Sequence, residues 1–158
     1  MFRKMRRFKQ EIPQEECLKI LREEKRGVLS LIGDDGYPYG IPMNQFYYEK
    51  TGKIYFHGAK EGHKIDAIKN CAKASFCVYD KGFVKEGEWA LNIKSVVVFG
   101  KIRLVESLDE AKEICLALCR KFNDDPAYIE KEMTNALGRV QCLEMTIERM
   151  TGKLVNES

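Results

Sequence analysis

Lys94-Ser95-Val96-Val97-Val98-Phe99-Gly100-Lys101-Ile102-Arg103-Leu104-Val105-Glu106 is the stretch on which the fold turns. Val96, Val98, Ile102 and Leu104 alternate with Ser95, Lys101 and Arg103, the period of a strand with one buried face. Working outward, Lys73–Asp80 repeats the pattern, with Ala74, Phe76 and Val78 set against Ser75, Cys77 and Tyr79. In Lys53–Gly58, Ile54 and Phe56 face one way while Tyr55 and His57 face the other. The apolar run Gly27–Gly33 has strand length and meets Asp34-Asp35-Gly36, an Asp-Gly hairpin signal that tolerates positive φ. Pro38–Tyr48 reads as the returning strand, and Pro42 inside it predicts an edge position or a bulge. Val140–Met150 is a last strand whose apolar parity changes between Cys142 and Leu143, which predicts a bulge there. Lys81–Gly87 reads as a polar connection.

Helices are expected between and around these strands. Pro13–Lys25 carries a proline near its first turn and offers Cys17, Ile20 and Leu21 as an inner face. Gly62–Asn70 is a short helix with Ile65 and Ile68 on its packed side. Ser107-Leu108-Asp109-Glu110 is a capping box opening a helix to about Phe122, with Leu108, Ala111, Cys115, Leu118 and Phe122 as its stripe. Asp125-Pro126 starts another helix, ending at Gly138. No repeat or Ser/Gly/Pro-rich linker interrupts residues 1–158, which are read as a single domain. The fold class is mainly β with peripheral helices: about six antiparallel strands in a small barrel.

Composition excludes several partner classes. The 27 basic and 24 acidic side chains leave +3, but Arg3, Lys4, Arg6, Arg7 and Lys9 sit within residues 1–10 with no acid among them. The remainder is slightly acidic, so no domain-wide nucleic-acid footprint is expected. The basic arm, residues 1–10, is read as solvated, the other reading being an arm folded toward an anionic ligand. No apolar run approaches the ~20 residues needed to cross a bilayer, so no membrane partner is expected. Charges interrupt the apolar residues of the first segment, so no secretory signal is read and a cytoplasmic chain is expected. Its six cysteines are then reduced, and none forms a CxxC pair.

Chemistry concentrates in His57-Gly58-Ala59-Lys60-Glu61-Gly62-His63-Lys64, which runs from a strand end through two glycines into a helix start. Free N–H groups and the helix dipole favour an anion there, and Lys60, His63 and Lys64 add cationic donors. This is the pattern of a phosphate pocket, and a solvated lysine loop shares it. In Gly40–Phe46, Asn44 needs a partner: a barrel-rim backbone group or the polar edge of a planar ligand. Ser95 carries the same two readings. Trp89 is read as core, with a lid over an aromatic ligand as the other role. No serine-hydrolase elbow, Walker loop or dinucleotide fingerprint occurs. No metal-ligand spacing is found either, and haem through a histidine stays open.

Several of these strings, in this order, resemble one family: Gly27-Val28-Leu29-Ser30, Asp35–Gly40, Ile41-Pro42-Met43-Asn44, Ile54–Asp66 and Ser95–Ile102. The chain is similar, over roughly residues 5–153, to pyridoxamine 5′-phosphate oxidase-related FMN-binding split-barrel proteins, nearest the nitroimidazole-resistance branch. The resemblance implies a six-stranded antiparallel split β-barrel, homodimeric, with FMN at the subunit interface. Carried over by position, His57, Gly58, Ala59, Lys60, His63 and Lys64 would hold the FMN phosphate and ribityl chain. Pro42, Met43 and Asn44 would lie along the isoalloxazine, and Ser95 and Val96 would approach it from the barrel strand. An oxidoreductase reducing small aromatic or nitro compounds is implied, served by a small-molecule electron donor and acceptor. A non-catalytic flavin-storing protein and a haem-binding relative are the alternatives. No acid or base stands out, His57 being the best candidate. The segment Thr151–Ser158 lacks the arginine-rich substrate-binding end of true pyridoxamine-phosphate oxidases, so vitamin B6 oxidation is not expected.

Overall fold

In the computed structural model, which describes residues 1–136 and 138–158, the alternation over Lys94–Glu106 becomes the centre of a longer strand, β8 (Leu91–Leu104). It pairs with β6 (Lys73–Tyr79) on one side and β9 (Val140–Asn156) on the other. Outward lie β2 (Arg26–Ile32) and edge strand β3 (Pro38–Asn44); beyond β9 come β5 (Lys53–Ala59) and β4 (Phe46–Tyr48). Short strands β1 (Glu11–Ile12) and β7 (Phe83–Val84) add to β9 and β8, and every pairing is antiparallel. Six of these strands have seven residues or more. They are the six expected for the split barrel, and the short pieces complete nine.

The sheet curls so that Leu29, Leu31, Phe56, Phe76, Val78, Val96, Val98, Ile102 and Met145 meet inside. Helix α1 (Gln14–Glu23) adds Cys17, Ile20 and Leu21 to that core, and α2 (His63–Asn70) adds Ile65 and Ile68. Burying each such side chain is worth roughly 1.5–3 kcal/mol. A second, smaller core lies on the opposite face of β5 and β9. There Tyr55, Val105 and Cys142 pack against Ile114 and Cys115 of α3 (Leu108–Phe122). Ser107 caps α3 as its box predicts, its Oγ accepting the Glu110 N–H at 3.3 Å. Helix α4 is described over Pro126–Ala136; residue 137, within the span expected to reach Gly138, lies outside the described residues.

The parity change at Cys142/Leu143 is not a bulge. These residues face His57 and Phe56 in unbroken register. Both faces of β9 are covered there, so apolar residues run consecutively. The register shift falls instead between Phe99 and Gly100, opposite Arg149 and Ile147, which makes Glu148 the extra residue. A methyl group on Gly100 would collide with the Thr146 carbonyl oxygen, so glycine is required at that bulge. Leu108 is exposed and Ile114 takes the inner position on α3. Trp89 is not core: it is 80% exposed in the hairpin between β7 and β8. The basic arm is not wholly solvated, since Phe2 stacks on Phe99 with ring centroids 5.6 Å apart. Within Pro38–Tyr48 the strand breaks at fully buried Gln45, whose Nε2 donates to the Glu24 carbonyl at 2.6 Å. Lys121 of α3 clamps the same place, donating to the Glu24 and Gln45 carbonyls at 2.8 Å each. Burial holds its ammonium down to about 8.

Glu144, 3% exposed, is the charged centre of the second core. It receives Arg103 Nε at 2.8 Å, Lys53 Nζ at 2.9 Å and the Tyr55 hydroxyl at 3.1 Å. Burial alone would raise its pKa, but these donors outweigh burial and hold it down to about 2. A carboxylate depressed on folding stabilises the native state above its unfolded pKa, and that stability drains as pH falls through the folded value. Denaturant unfolding should therefore show a loss of about 3 kcal/mol from this group between pH 5 and pH 2. Glu144→Gln should be less stable at pH 7, because Arg103 and Lys53 lose their counter-charge, and its acid slope should be shallower.

Candidate functional site

The sheet curls without its two ends hydrogen-bonding to each other: β3 ends one side, β5 and β4 the other. The chain itself joins them through Gln45. Helix α2 follows β5 and must return to β6, and this route lays its N-terminus against the seam. Lys64, in the first turn of α2, enters the gap between inward-facing Met43 of β3 and Gly58 of β5. Its Nζ approaches the Met43 sulfur at 3.6 Å. It also fills the space a side chain on Gly58 would need.

An ammonium facing a thioether is poorly satisfied, since sulfur is a weak acceptor. No carboxylate pairs with Lys64 among the described residues, and burial lowers its pKa. On the opposite face of β5, which it shares with Tyr55 and Cys142, His57 Nδ1 is buried without a partner among the described residues. Burial first, and then the Lys64 charge, push the His57 pKa below the ordinary histidine value. The imidazole is therefore neutral at neutral pH. Gly62 opens α2 at φ +114°, with nothing within 4 Å of the position a Cβ would take. No side chain caps this end of the helix, so its first amides keep the partial positive charge of an N-terminus.

The other expected residues distribute unevenly. His63 is held away from the seam on the β2–β3 turn: its ring stacks on Tyr39 with centroids 4.0 Å apart, and its Nε2 accepts the Asp34 N–H at 3.3 Å. Asp35 and Gly36 of that turn both have positive φ, as the Asp-Gly signal predicts. Lys60 and Ala59 are exposed, and Lys60 makes no hydrogen bond or ion pair among the described residues. Asn44 finds a protein partner, its Oδ1 accepting Arg26 Nε at 2.9 Å. Pro42 sits on the outer face of β3, lining a groove of about 830 Å³ with Val28, Arg26 and Tyr79.

Ser95 and Val96 part company. The Val96 side chain is fully buried in the barrel core, leaving only its backbone at the strand. Ser95 lies on the outer face, in a recess of about 240 Å³ with Arg3, Thr151 and Lys153. Three strand spacings, about 14 Å, separate β3 from β8 along the order β3-β2-β6-β8. One copy thus brings together Met43, Gly58 and Lys64, keeps His57 on the opposite face of β5, and holds Ser95 apart from them. Sequence reasoning missed Tyr39 and Gln45. Tyr39 carried no signal, whereas a glutamine between strand residues was a readable oddity.

These features can be set beside known proteins. The family model described as pyridoxamine 5′-phosphate oxidase matches residues 13–154, and the chain belongs to that family. No curated protein matches the sequence. Among solved structures, a proposed 5-nitroimidazole antibiotic resistance protein from Bacteroides thetaiotaomicron is similar with a TM-score of 0.78 at 19% identity, over 92% of this chain and 87% of that one. An FAD-binding protein from Mesorhizobium loti gives a TM-score of 0.64 at 21% identity, over 92% and 97%. The FAD and heme binding protein of Mycobacterium smegmatis gives 0.72 at 18% identity, over 95% and 74%. At these identities the likeness is one of fold.

The chain has two histidines, so their ring protons can be resolved by NMR. The His57 titration midpoint should lie below the ordinary histidine value. Lys64→Met should move that midpoint upward by removing the adjacent positive charge. A midpoint that ignores the substitution would show that the Lys64 charge is not felt at His57.

Proposed function

We propose that the seam between β3 and β5 holds the phosphate-bearing end of a flavin, FMN being the form that the sequence resemblance favours, and that the protein is an FMN-dependent oxidoreductase. The observation that carries this reading is Lys64: a half-buried ammonium that, among the described residues, meets a thioether and no carboxylate. An anionic oxygen there would replace a weak contact with a charge-assisted hydrogen bond. The uncapped amides of α2 supply further donors. The residues present fit the group. Lys60 is the weaker phosphate partner, because nothing turns it inward.

When bound, a flavin supplies two-electron transfer between a small-molecule donor, such as a reduced nicotinamide, and an acceptor, here a small aromatic or nitro compound. The chain's own residues bind and orient. Met43 offers an apolar wall at the edge strand. Neutral His57 can hold or move a proton at Nδ1. Support for a flavin comes also from the FAD-binding relatives of the same fold. In this chain Thr151–Asn156 is sheet, paired to β8. This stretch is held in the sheet and carries no arginine, so a different acceptor is proposed.

Ser95 enters the same site only from a second copy. The outer face of β2, β6 and β8 exposes Val28 and Phe99 beside Cys77 and Val97, a surface suited to a homodimer. Light scattering should then report twice the 18.3 kDa chain mass.

The direct test is a titration of the purified protein with FMN, read by quenching of flavin fluorescence. Lys64→Met should weaken binding about 10- to 100-fold, the loss of one charge-assisted contact of roughly 1.5–3 kcal/mol. Lys60→Ala should weaken it less. Equal affinity for wild type and Lys64→Met would place the phosphate elsewhere. Bleaching of the bound flavin by a reduced nicotinamide and recovery with a nitroaromatic would establish turnover; tight binding with neither would make the protein a flavin carrier.

A further inference from the structure

The second core holds a pair of thiols that the flavin reading does not use. Cys115 of α3 and Cys142 of β9 lie with Sγ atoms 3.3 Å apart. Both are buried, at 8% and 1% exposure, among Tyr55, Val105 and Ile114. The remaining contact of Cys142 is with the Ala111 carbonyl, 3.7 Å away. Twenty-seven positions separate the two cysteines in the chain. The packing of α3 on β9 brings them together, so a bond between them would staple helix to sheet. Cys142 is also the register partner of His57, which puts the pair directly beside the candidate site.

The geometry points to Cys115 and Cys142 as a reversible dithiol–disulfide site, oxidised by a hydroperoxide. The closing motion is small: a covalent S–S bond is about 2 Å long, so the sulfurs must approach by little more than 1 Å. The Cys115 sulfur is the attacking atom, since it is the more exposed of the two, at 8% against 1%. It attacks one peroxide oxygen, the O–O bond breaks, and the other oxygen leaves as water, or as an alcohol from an organic peroxide. Cys115 is then a sulfenic acid. The Cys142 sulfur attacks that sulfur, the S–O bond breaks, and the hydroxyl departs as water with the Cys142 proton. Two thiols and one peroxide thus give one disulfide and two molecules of water. A thiol reductant reverses the change by exchange. This inference is independent of the flavin: it needs only the packing of α3 on β9.

The test uses the native chain. Brief exposure to hydrogen peroxide, an acid quench, and alkylation under denaturing conditions should leave four of the six thiols free. Trypsin should then release peptides 113–120 and 140–149 as one linked species, lost after dithiothreitol. Cys119 shares the first peptide, so Cys119→Ala should retain the link while Cys115→Ala and Cys142→Ala abolish it. The oxidised wild type should melt several degrees higher than the reduced form. Six free thiols after treatment would overturn the assignment. So would a link that disappears in Cys119→Ala, or oxidation confined to half-buried Cys71 and Cys77.

Discussion

The pairing of β8 with β9 is the constraint from which the rest of the molecule follows. Its register runs from Asn92 opposite Asn156 to Leu104 opposite Leu143, with one slip at Gly100. Strands of this length cannot remain flat. They twist, and the extra residue at Glu148 bends β9 further. The sheet on either side of them therefore curls toward closure. β9 takes β8 along one edge and both β1 and β5 along the other, so nearly every element of the barrel is referred to its backbone. Buried Asn92 closes the far end of the ladder, its Oδ1 accepting Asn156 Nδ2 at 3.1 Å.

Closure stops one step short, and that shortfall makes the site. Because β3 and β5 meet without a ladder, the seam lacks the mutual satisfaction that a closed barrel provides. The fold places at this gap a helix N-terminus, a glycine with no side chain and a long cationic side chain. The opposite pole, at Gln45, is handled differently. There the polar groups exposed by the strand break are answered within the chain, by Gln45 Nε2 and by the Lys121 ammonium. At one break the backbone carbonyls are met by internal donors, though buried Gln45 Oε1 keeps no partner; at the other, among the described residues, the Lys64 ammonium has no carboxylate. That free ammonium is what marks the seam as the candidate site.

How far the sequence could be read depended on whether a residue's environment was local. Alternation in Lys73–Asp80 and Lys94–Glu106, the capping box at Ser107 and the Asp35-Gly36 turn are short-range signals, and each corresponds to an observed element. The run Cys142–Met145 misled because burial on its second face comes from α3, nearly thirty residues earlier, and strand periodicity assumes one wet face. The same blindness applied to the lysines. Lys60 and Lys64 look equivalent in the loop, and only the course of α2 across the seam turns one inward and leaves the other in water. Gln45 and Lys121 are far apart in sequence and acquire meaning only as a pair. Trp89 was misjudged because size and apolarity do not record that the residue lies on a hairpin standing off the barrel.

Edge strand β3 carries Pro38 and Pro42. An open sheet margin invites an incoming chain to continue the ladder, the route by which β proteins polymerise into fibres. Proline on an edge strand directs its missing donor outward. With both prolines on the same side of the strand, a would-be template finds a gap at either end of the stretch and only Gly40 between them. The barrel can thus leave its margin uncovered without offering it to other strands, and replacing either proline would erode colloidal behaviour before it touched folding.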